Sequence, residues 1–261
     1  MIGTHYEPYW SNYLKQFDLP ASYFQNITRN TNKFCVIVEP RISNELILVI
    51  KNFMYLLQNK GWCLIVFHGT KNEEFIKKGL EGWPNIIFEN LNCENLTIND
   101  YNDLMCSKEF YLKLKIRGCQ HCLIFQTDTL LFKDNIDDYL KYDYVGAPWN
   151  YKLYGGVEVG NGGLSLRNVN KMFEIAESCT RNVRKKGFSI IKKVKQLNED
   201  LYFSYWSHIK NFNIPSIDVA KTFSVEFIYY HDPCGFHKPW SGVFKNKEDF
   251  INILSKRFQI H

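Results

Sequence analysis

Asp128 closes the string Leu123-Ile-Phe-Gln-Thr-Asp128, so a carboxylate directly follows a short apolar run of strand type. There it can hold a divalent cation that bridges two phosphates, or it can simply cap the turn after the strand. Gly160-Asn161-Gly162-Gly163 lets a backbone approach a ligand without side-chain interference, and Asn161 can donate to and accept from sugar hydroxyls. A hairpin with an Asn-Gly turn is the other reading of these residues. Glu199 and Asp200 are adjacent acids at the start of a helix capped by Asn198. One of them can take a proton from an acceptor hydroxyl, and both equally suit a helix dipole. His231 to Trp240 gathers two imidazoles and Lys238 in a turn-rich stretch. Histidine there can ligate metal and the lysine can pair with phosphate, although a surface turn with incidental histidines has the same composition. The basic tract from Arg181 through Lys195 fits either a flap over an anionic ligand or a solvated face.

Positioning these groups requires a scaffold, and the first half of the chain spells one out. Phe34 to Val38 is a β-branched, apolar run, and Glu39-Pro40-Arg41 is its loop. Ser43 then stands where a cap would, and Leu46, Val49, Ile50, Phe53 and Leu57 recur at helical spacing up to a stop at Asn59-Lys-Gly61. The unit repeats with Trp62 to Phe67 as strand, His68-Gly69-Thr70 as loop, and a short helix through Phe75 and Ile76. Ile86 to Phe88 is a weaker third strand. A helical stretch around Tyr101 to Leu114 leads to a fourth strand, Cys122 to Phe125. Apolar strands alternating with helices predict an α/β fold with a mostly parallel central sheet covered on both sides. Such sheets bind ligands beyond the carboxyl ends of their strands. In the second half, glycine-rich turns feed a strand at Leu164 to Leu166, Asn168 caps a helix, and Asn246 caps the last one. Residues 1 to 32 show turn formers and aromatics without clear periodicity, which predicts a wrapping segment ahead of a domain over 33 to 261.

With 45% hydrophobic and 16% aromatic residues, 261 residues can bury one large core, so a single domain is expected. A net charge of +5, with basic residues spread along the chain, does not call for nucleic acid. The opening MIGTHYEPYW lacks the pattern of a secretory signal, and no apolar run approaches the roughly 20 residues that cross a bilayer. A soluble, cytoplasmic protein without a transmembrane segment is therefore expected. The eight cysteines are scattered and several lie in strand-like runs, so they read as reduced core thiols. Cys119 and Cys122 have metal spacing, yet no second such pair completes a zinc site.

Four strings, LIFQTD at 123 to 128, YDYVGAPW at 142 to 149, GNGGLSLR at 160 to 167 and GFHKPW at 235 to 240, together resemble a glycosyltransferase-like domain family of unknown function. The resemblance runs from about residue 33 to 240. It implies a single-domain GT-A fold, the Rossmann-like fold of nucleotide-diphospho-sugar transferases. In that fold a DxD motif after the fourth strand holds Mn or Mg on the donor. Gln126-Thr127-Asp128 occupies that place, with Gln where the first acid stands, so Asp128 would hold the ion nearly alone. The ending is also similar to the HxxGxxKPW ending of glycogenin-like and galactosyltransferase enzymes, where His binds metal and Lys meets the pyrophosphate. Gly235, Lys238, Pro239 and Trp240 match in register, Asp232 stands at the His position, and His237 is favoured as ligand ahead of His231. By the same likeness Glu39, Arg41, His68 and Gly69 would cradle the nucleotide, and Gly146 to Trp149 with Asn161, Gly162 and Gly163 would line the sugar and acceptor side.

The expected activity is transfer of a sugar from a nucleoside-diphosphate sugar, first a UDP-sugar, to a hydroxyl of a glycan, protein or lipid-linked acceptor. The alternative is a catalytically silent nucleotide-sugar- or carbohydrate-binding protein. A nucleotidyltransferase would need a glycine-rich loop after the first strand, where Glu39-Pro40-Arg41 has none, and a dehydrogenase would need GxGxxG.

Overall fold

Strands that are apolar on both faces are stable only where both faces are covered, and the chain supplies helices for each face. The computed structural model describes residues 7–21, 32–150, 156–183, 195–238, 243–244 and 247–255. Helix α1 (Glu7–Lys15) precedes β1 (Lys33–Glu39), α2 (Asn44–Leu57), β2 (Trp62–His68), α3 (Glu73–Gly79) and β3 (Ile86–Asn90). Then come α4 (Ile98–Met105), α5 (Lys108–Ile116), β4 (His121–Phe125), β5 (Thr129–Leu131), β6 (Tyr144–Pro148), β7 (Val159–Asn168) and α6 (Val169–Ser178). The chain continues through β8 (Asn182–Val183), β9 (Lys195–Gln196), α7 (Glu199–Ile209), α8 (Ile217–Phe223), β10 (Ser224–Val225), β11 (Gly235–His237) and α9 (Lys247–Ser255).

The main sheet has the order β3-β2-β1-β4-β7-β6. β1 to β4 are mutually parallel, and β7 runs antiparallel to both β4 and β6. This is the expected α/β class with a mostly parallel central sheet. Cys35, Ile37, Leu64, Val66, Leu123 and Phe125 face α1 and α2, while Phe34, Val36, Ile65, Cys122 and Ile124 face α5, α6 and α7. Both apolar clusters share one sheet, so the described residues form one domain. A fully buried Leu or Ile here contributes about 1.5–3 kcal/mol.

A small sheet, β10-β11-β5, lies beside the main one. Buried Asn52 on α2 fixes its edge: the amide donates to the Leu131 carbonyl at 2.9 Å, and Leu131 N donates back at 2.8 Å. These strands of two or three residues carry no readable period.

Several expectations need correction. Trp10, Tyr13, Leu14 and Phe17 follow helical spacing and are buried against α2, so α1 belongs to the core instead of wrapping outside it. The helical stretch around residues 101 to 114 is two helices, because Ser107 ends one and caps the next by accepting from Phe110 N. Gly160 to Gly163 lie inside buried β7 and form no hairpin turn. Asn168 caps α6 as expected, whereas Ser43 and Asn198 occupy cap positions without a side-chain cap bond. Asn246, Pro239, Trp240 and the basic tract between 184 and 194 lie outside the described residues. All eight cysteines are free, and Cys119 and Cys122 are packed in the apolar interior. No helix among the described residues is long and apolar enough to cross a membrane.

Candidate active site

β1 and β2 end level with one another, at Glu39 and His68. Arg41 donates from its backbone N and Nε to Glu39 Oε1, at 2.9 and 2.8 Å, and from Nη2 to Oε2 at 2.7 Å. That hydrogen bonding and the Glu39 charge hold the Arg41 guanidinium more firmly protonated. Buried Asn72 donates to the carbonyls of Glu39 and Arg41, each at 2.8 Å, and accepts from Gly69 N at 2.8 Å. His68 is buried and its Nδ1 donates to the Gly69 carbonyl at 2.9 Å. Polar groups on this side are satisfied by one another.

Beyond β4 the situation reverses. Thr129 N and Oγ1 both donate to the Gln126 carbonyl, at 3.1 and 2.6 Å, making a tight turn that presents Asp128 at the carboxyl edge of the sheet. β11 pairs antiparallel with β5, setting His237 opposite Thr129, and Lys238 N donates to the Asp128 carbonyl at 3.0 Å. Lys238 has φ of 46°, a left-handed bend that costs a non-glycine residue about 1–2 kcal/mol. Its side chain reaches back, with Nζ 3.9 Å from Asp128 Oδ2.

His237 is buried, with Nδ1 3.0 Å from both Glu226 Oε2 and Asn161 Oδ1. Its Nε2 lies 3.4 Å from Asp128 Oδ1, and both atoms are buried without a hydrogen-bond partner among the described residues. Their contact is thus a charge pairing. Burial would lower the His237 pKa, but Asp128 and Glu226 outweigh it and raise it to about 9. Burial would conversely raise the Asp128 carboxyl, but His237 and then Lys238 hold it below the usual carboxylate range. A side chain at Gly163 would overlap the His237 ring, and one at Gly162 would overlap the Glu199 carboxylate.

The two adjacent acids have different surroundings. Glu199 Oε2 accepts from Arg167 Nη2 at 2.7 Å, with both residues buried. Arg167 also donates to Ser165 Oγ at 2.9 Å and Tyr111 Oη at 3.1 Å, and its Cζ lies over the Tyr144 and Phe203 rings, 5.2 Å from each centroid. Half-buried Asp200 makes no ion pair among the described residues, so burial and the Glu199 charge lift its pKa to about 6.

One cleft of about 420 Å³ is lined by Glu39, Arg41, Asp128, Asn161, Gly162, Gly163, Glu199, Asp200, His237 and Lys238. His68, Gly69 and Trp149 do not line it. His68 and Gly69 support the loop from beneath, and Trp149 is buried in the β6–β7 pairing, its N donating to Glu158 O at 2.9 Å. His231 is exposed, its ring tilted against that of Tyr230 with centroids 4.8 Å apart. Sequence reasoning missed Glu226, Arg167 and Asn72 as partners in this region. The available signal for the first two was a charged residue inside an apolar run, Ser224-Val-Glu-Phe-Ile and Leu164-Ser-Leu-Arg.

Among the described residues no group of three or more His, Cys, Asp or Glu side chains is arranged around one metal position. Asp128 Oδ1 and His237 Nε2 nevertheless fit as two ligands of one cation. They are unpartnered donor atoms of suitable chemistry, 3.4 Å apart, with His237 Nδ1 anchored from behind.

Fold and cleft together define an α/β protein with a polar cleft at the carboxyl edge of a mostly parallel sheet. The chain belongs to the family described as protein of unknown function DUF5672, whose model matches residues 85–237, from β3 to the cleft histidine. A search of curated proteins found no match. Among solved structures, the chain is similar to the galactosyltransferase LgtC in complex with donor and acceptor sugar analogs. The TM-score is 0.49 at 12% identity, covering 87% of this chain and 97% of that one. It is also similar to a cytidylyltransferase from Leptospira borgpetersenii serovar Hardjo-bovis (strain JB197), at TM-score 0.37 and 9% identity, covering 58% and 66%. Neither similarity assigns a role to any residue.

Proposed function

We propose that the chain is a GT-A-type glycosyltransferase, moving a sugar from a nucleoside-diphosphate sugar, first a UDP-sugar, to a hydroxyl of a glycan, protein or lipid-linked acceptor. The observation that carries this reading is the unpartnered pair Asp128 Oδ1 and His237 Nε2, 3.4 Å apart beside Lys238 at the sheet edge. Asp128 and His237 would hold a divalent cation, Mn or Mg, which when bound supplies positive charge for a departing diphosphate. Lys238 Nζ pairs with a phosphate oxygen, exchanging its weak contact with Asp128 for a stronger anion. Gly162 and Gly163 leave room for the Glu199 carboxylate and the His237 ring, so both groups can pack against this wall of the cleft.

Asp200 is the group that takes the acceptor hydroxyl proton, because a carboxylate titrating at about 6 is ionised at neutral pH yet more basic than usual. Glu199 is committed to Arg167 and shapes the site from behind. Arg41, at the rim, faces the nucleotide with its fork still largely exposed.

A second reading, a silent nucleotide-sugar- or carbohydrate-binding protein, is favoured by one feature. Gln126 Nε2 donates to Tyr101 Oη at 3.2 Å, so the position of the first acid holds a neutral side chain bound elsewhere. Incubation with a panel of sugar nucleotides, with and without Mn(II), separates the two. Donor hydrolysis or transfer by the wild type and not by Asp200→Asn supports the enzyme. Binding of a sugar nucleotide with no turnover of any donor supports the silent protein.

A further inference from the structure

We infer that Glu226 is the positioning residue for His237, holding the proton on Nδ1 and turning Nε2 into the cleft as a ligand atom for a divalent cation. The inference deepens the transferase reading and rests on it. Glu226 directly follows β10, which runs parallel to β11 with Ser224 opposite Gly235 and Val225 opposite Phe236. Continuing that register sets Glu226 beside His237, where its Oε2 lies 3.0 Å from Nδ1.

Nδ1 meets a second oxygen, Asn161 Oδ1, also at 3.0 Å. That oxygen already accepts from Gly163 N at 3.1 Å, which identifies it as the carbonyl end of the amide. An ionised carboxylate and an amide carbonyl only accept, so the hydrogen between them belongs to Nδ1. Nε2 then faces its charge partner Asp128 Oδ1 without a hydrogen-bond partner among the described residues, and a divalent cation held there would take the place of the proton on Nε2. The absence of a side chain at Gly163 leaves the imidazole its place, since a Cβ there would enter the ring. A buried carboxylate behind a histidine orients the ring and strengthens its far nitrogen as a ligand.

The test is Mn(II) affinity at saturating UDP, read by the electron paramagnetic resonance signal of free Mn(II), for wild type, Glu226→Ala, Glu226→Gln and His237→Ala. Circular dichroism checks folding, and UDP affinity without metal serves as the control. Glu226→Ala is expected to bind Mn(II) about 10- to 100-fold more weakly. Its UDP affinity without metal should stay as in wild type. Glu226→Gln, which keeps an acceptor oxygen, should recover part of the loss, and adding Glu226→Ala to His237→Ala should cause no further drop. Folded Glu226→Ala with wild-type Mn(II) affinity overturns the inference, as do losses that multiply in the double variant. If Glu226→Ala does not fold, the ring nitrogen shifts of His237 in wild type with Mg(II) and UDP decide. A protonated Nδ1 with a bare Nε2 supports the inference, and the opposite tautomer overturns it. Wild type that binds UDP but no Mn(II) overturns the inference and leaves the transferase reading standing; wild type that binds neither overturns the inference together with the UDP-sugar form of that reading.

Discussion

The two sides of the cleft differ in how their polar atoms are satisfied. On the β1–β2 side, Glu39, Arg41, Asn72, His68 and Gly69 bond to one another. On the β4–β7–β11 side, Asp128 and His237 face each other with atoms that lack partners, and Asp200 lies beside a like charge. Burying polar groups without full partners costs stability, and proteins retain such groups where a ligand completes the bonding. The first side is a frame, and the second is where chemistry is expected.

The sharpest way to break this contrast is Asp200→Asn. On the transferase reading it lowers turnover about 10²- to 10⁴-fold. Wild-type turnover should rise with pH and level off above about 6, the value at which Asp200 titrates. The same substitution should raise stability. A carboxyl whose folded pKa lies above its unfolded one favours folding at low pH, and that contribution is lost as pH rises through about 6. At pH 8 the gain is about 1–3 kcal/mol, and near pH 3 it vanishes, as thermal melts at the two pH values would show. Equal melting temperatures at pH 8 would mean the acid is not strained.

Arg167→Met comes next, because it leaves Glu199 charged and unpaired in the interior. It should cost about 3–5 kcal/mol in urea unfolding, with much of this recovered by adding Glu199→Gln. On the frame side, Asn72→Ala removes the shared partner of two carbonyls and one N–H, a loss of about 1–3 kcal/mol, with a smaller effect on turnover than Asp200→Asn. Arg41→Ala has the smallest expected effect on stability, about 0–1 kcal/mol, since its guanidinium is largely exposed. An Arg41→Ala loss as large as that of Arg167→Met would erase the distinction between rim and interior pairs.

The frame was largely legible in the sequence and the chemical side only in part, for a physical reason. Phe34 to Val38 and Trp62 to Phe67 declare themselves because a strand buried on both faces must be apolar throughout. Asp128 could be placed because it follows such a strand. The pairing that brings His237 to it depends on β5, β10 and β11, strands too short for any period, joined across about a hundred positions of chain. Glu226 carries no local signal beyond a charge in an apolar run. The different roles of Glu199 and Asp200 also follow from a distant residue, Arg167, whose strand alternates it inward. Helix α1 was missed for a simpler reason: Trp10, Leu14 and Phe17 do have helical spacing, obscured by the surrounding polar and turn-forming residues.

The most direct test of the central claim is turnover of a UDP-sugar panel with Mn(II) by wild type and by Asp128→Ala, checked to be folded. If the unpartnered carboxylate faces the diphosphate, the variant falls about 10²- to 10³-fold, the usual scale for removing a group that stabilises departing charge. A folded Asp128→Ala that turns over donor as fast as the wild type would contradict the account.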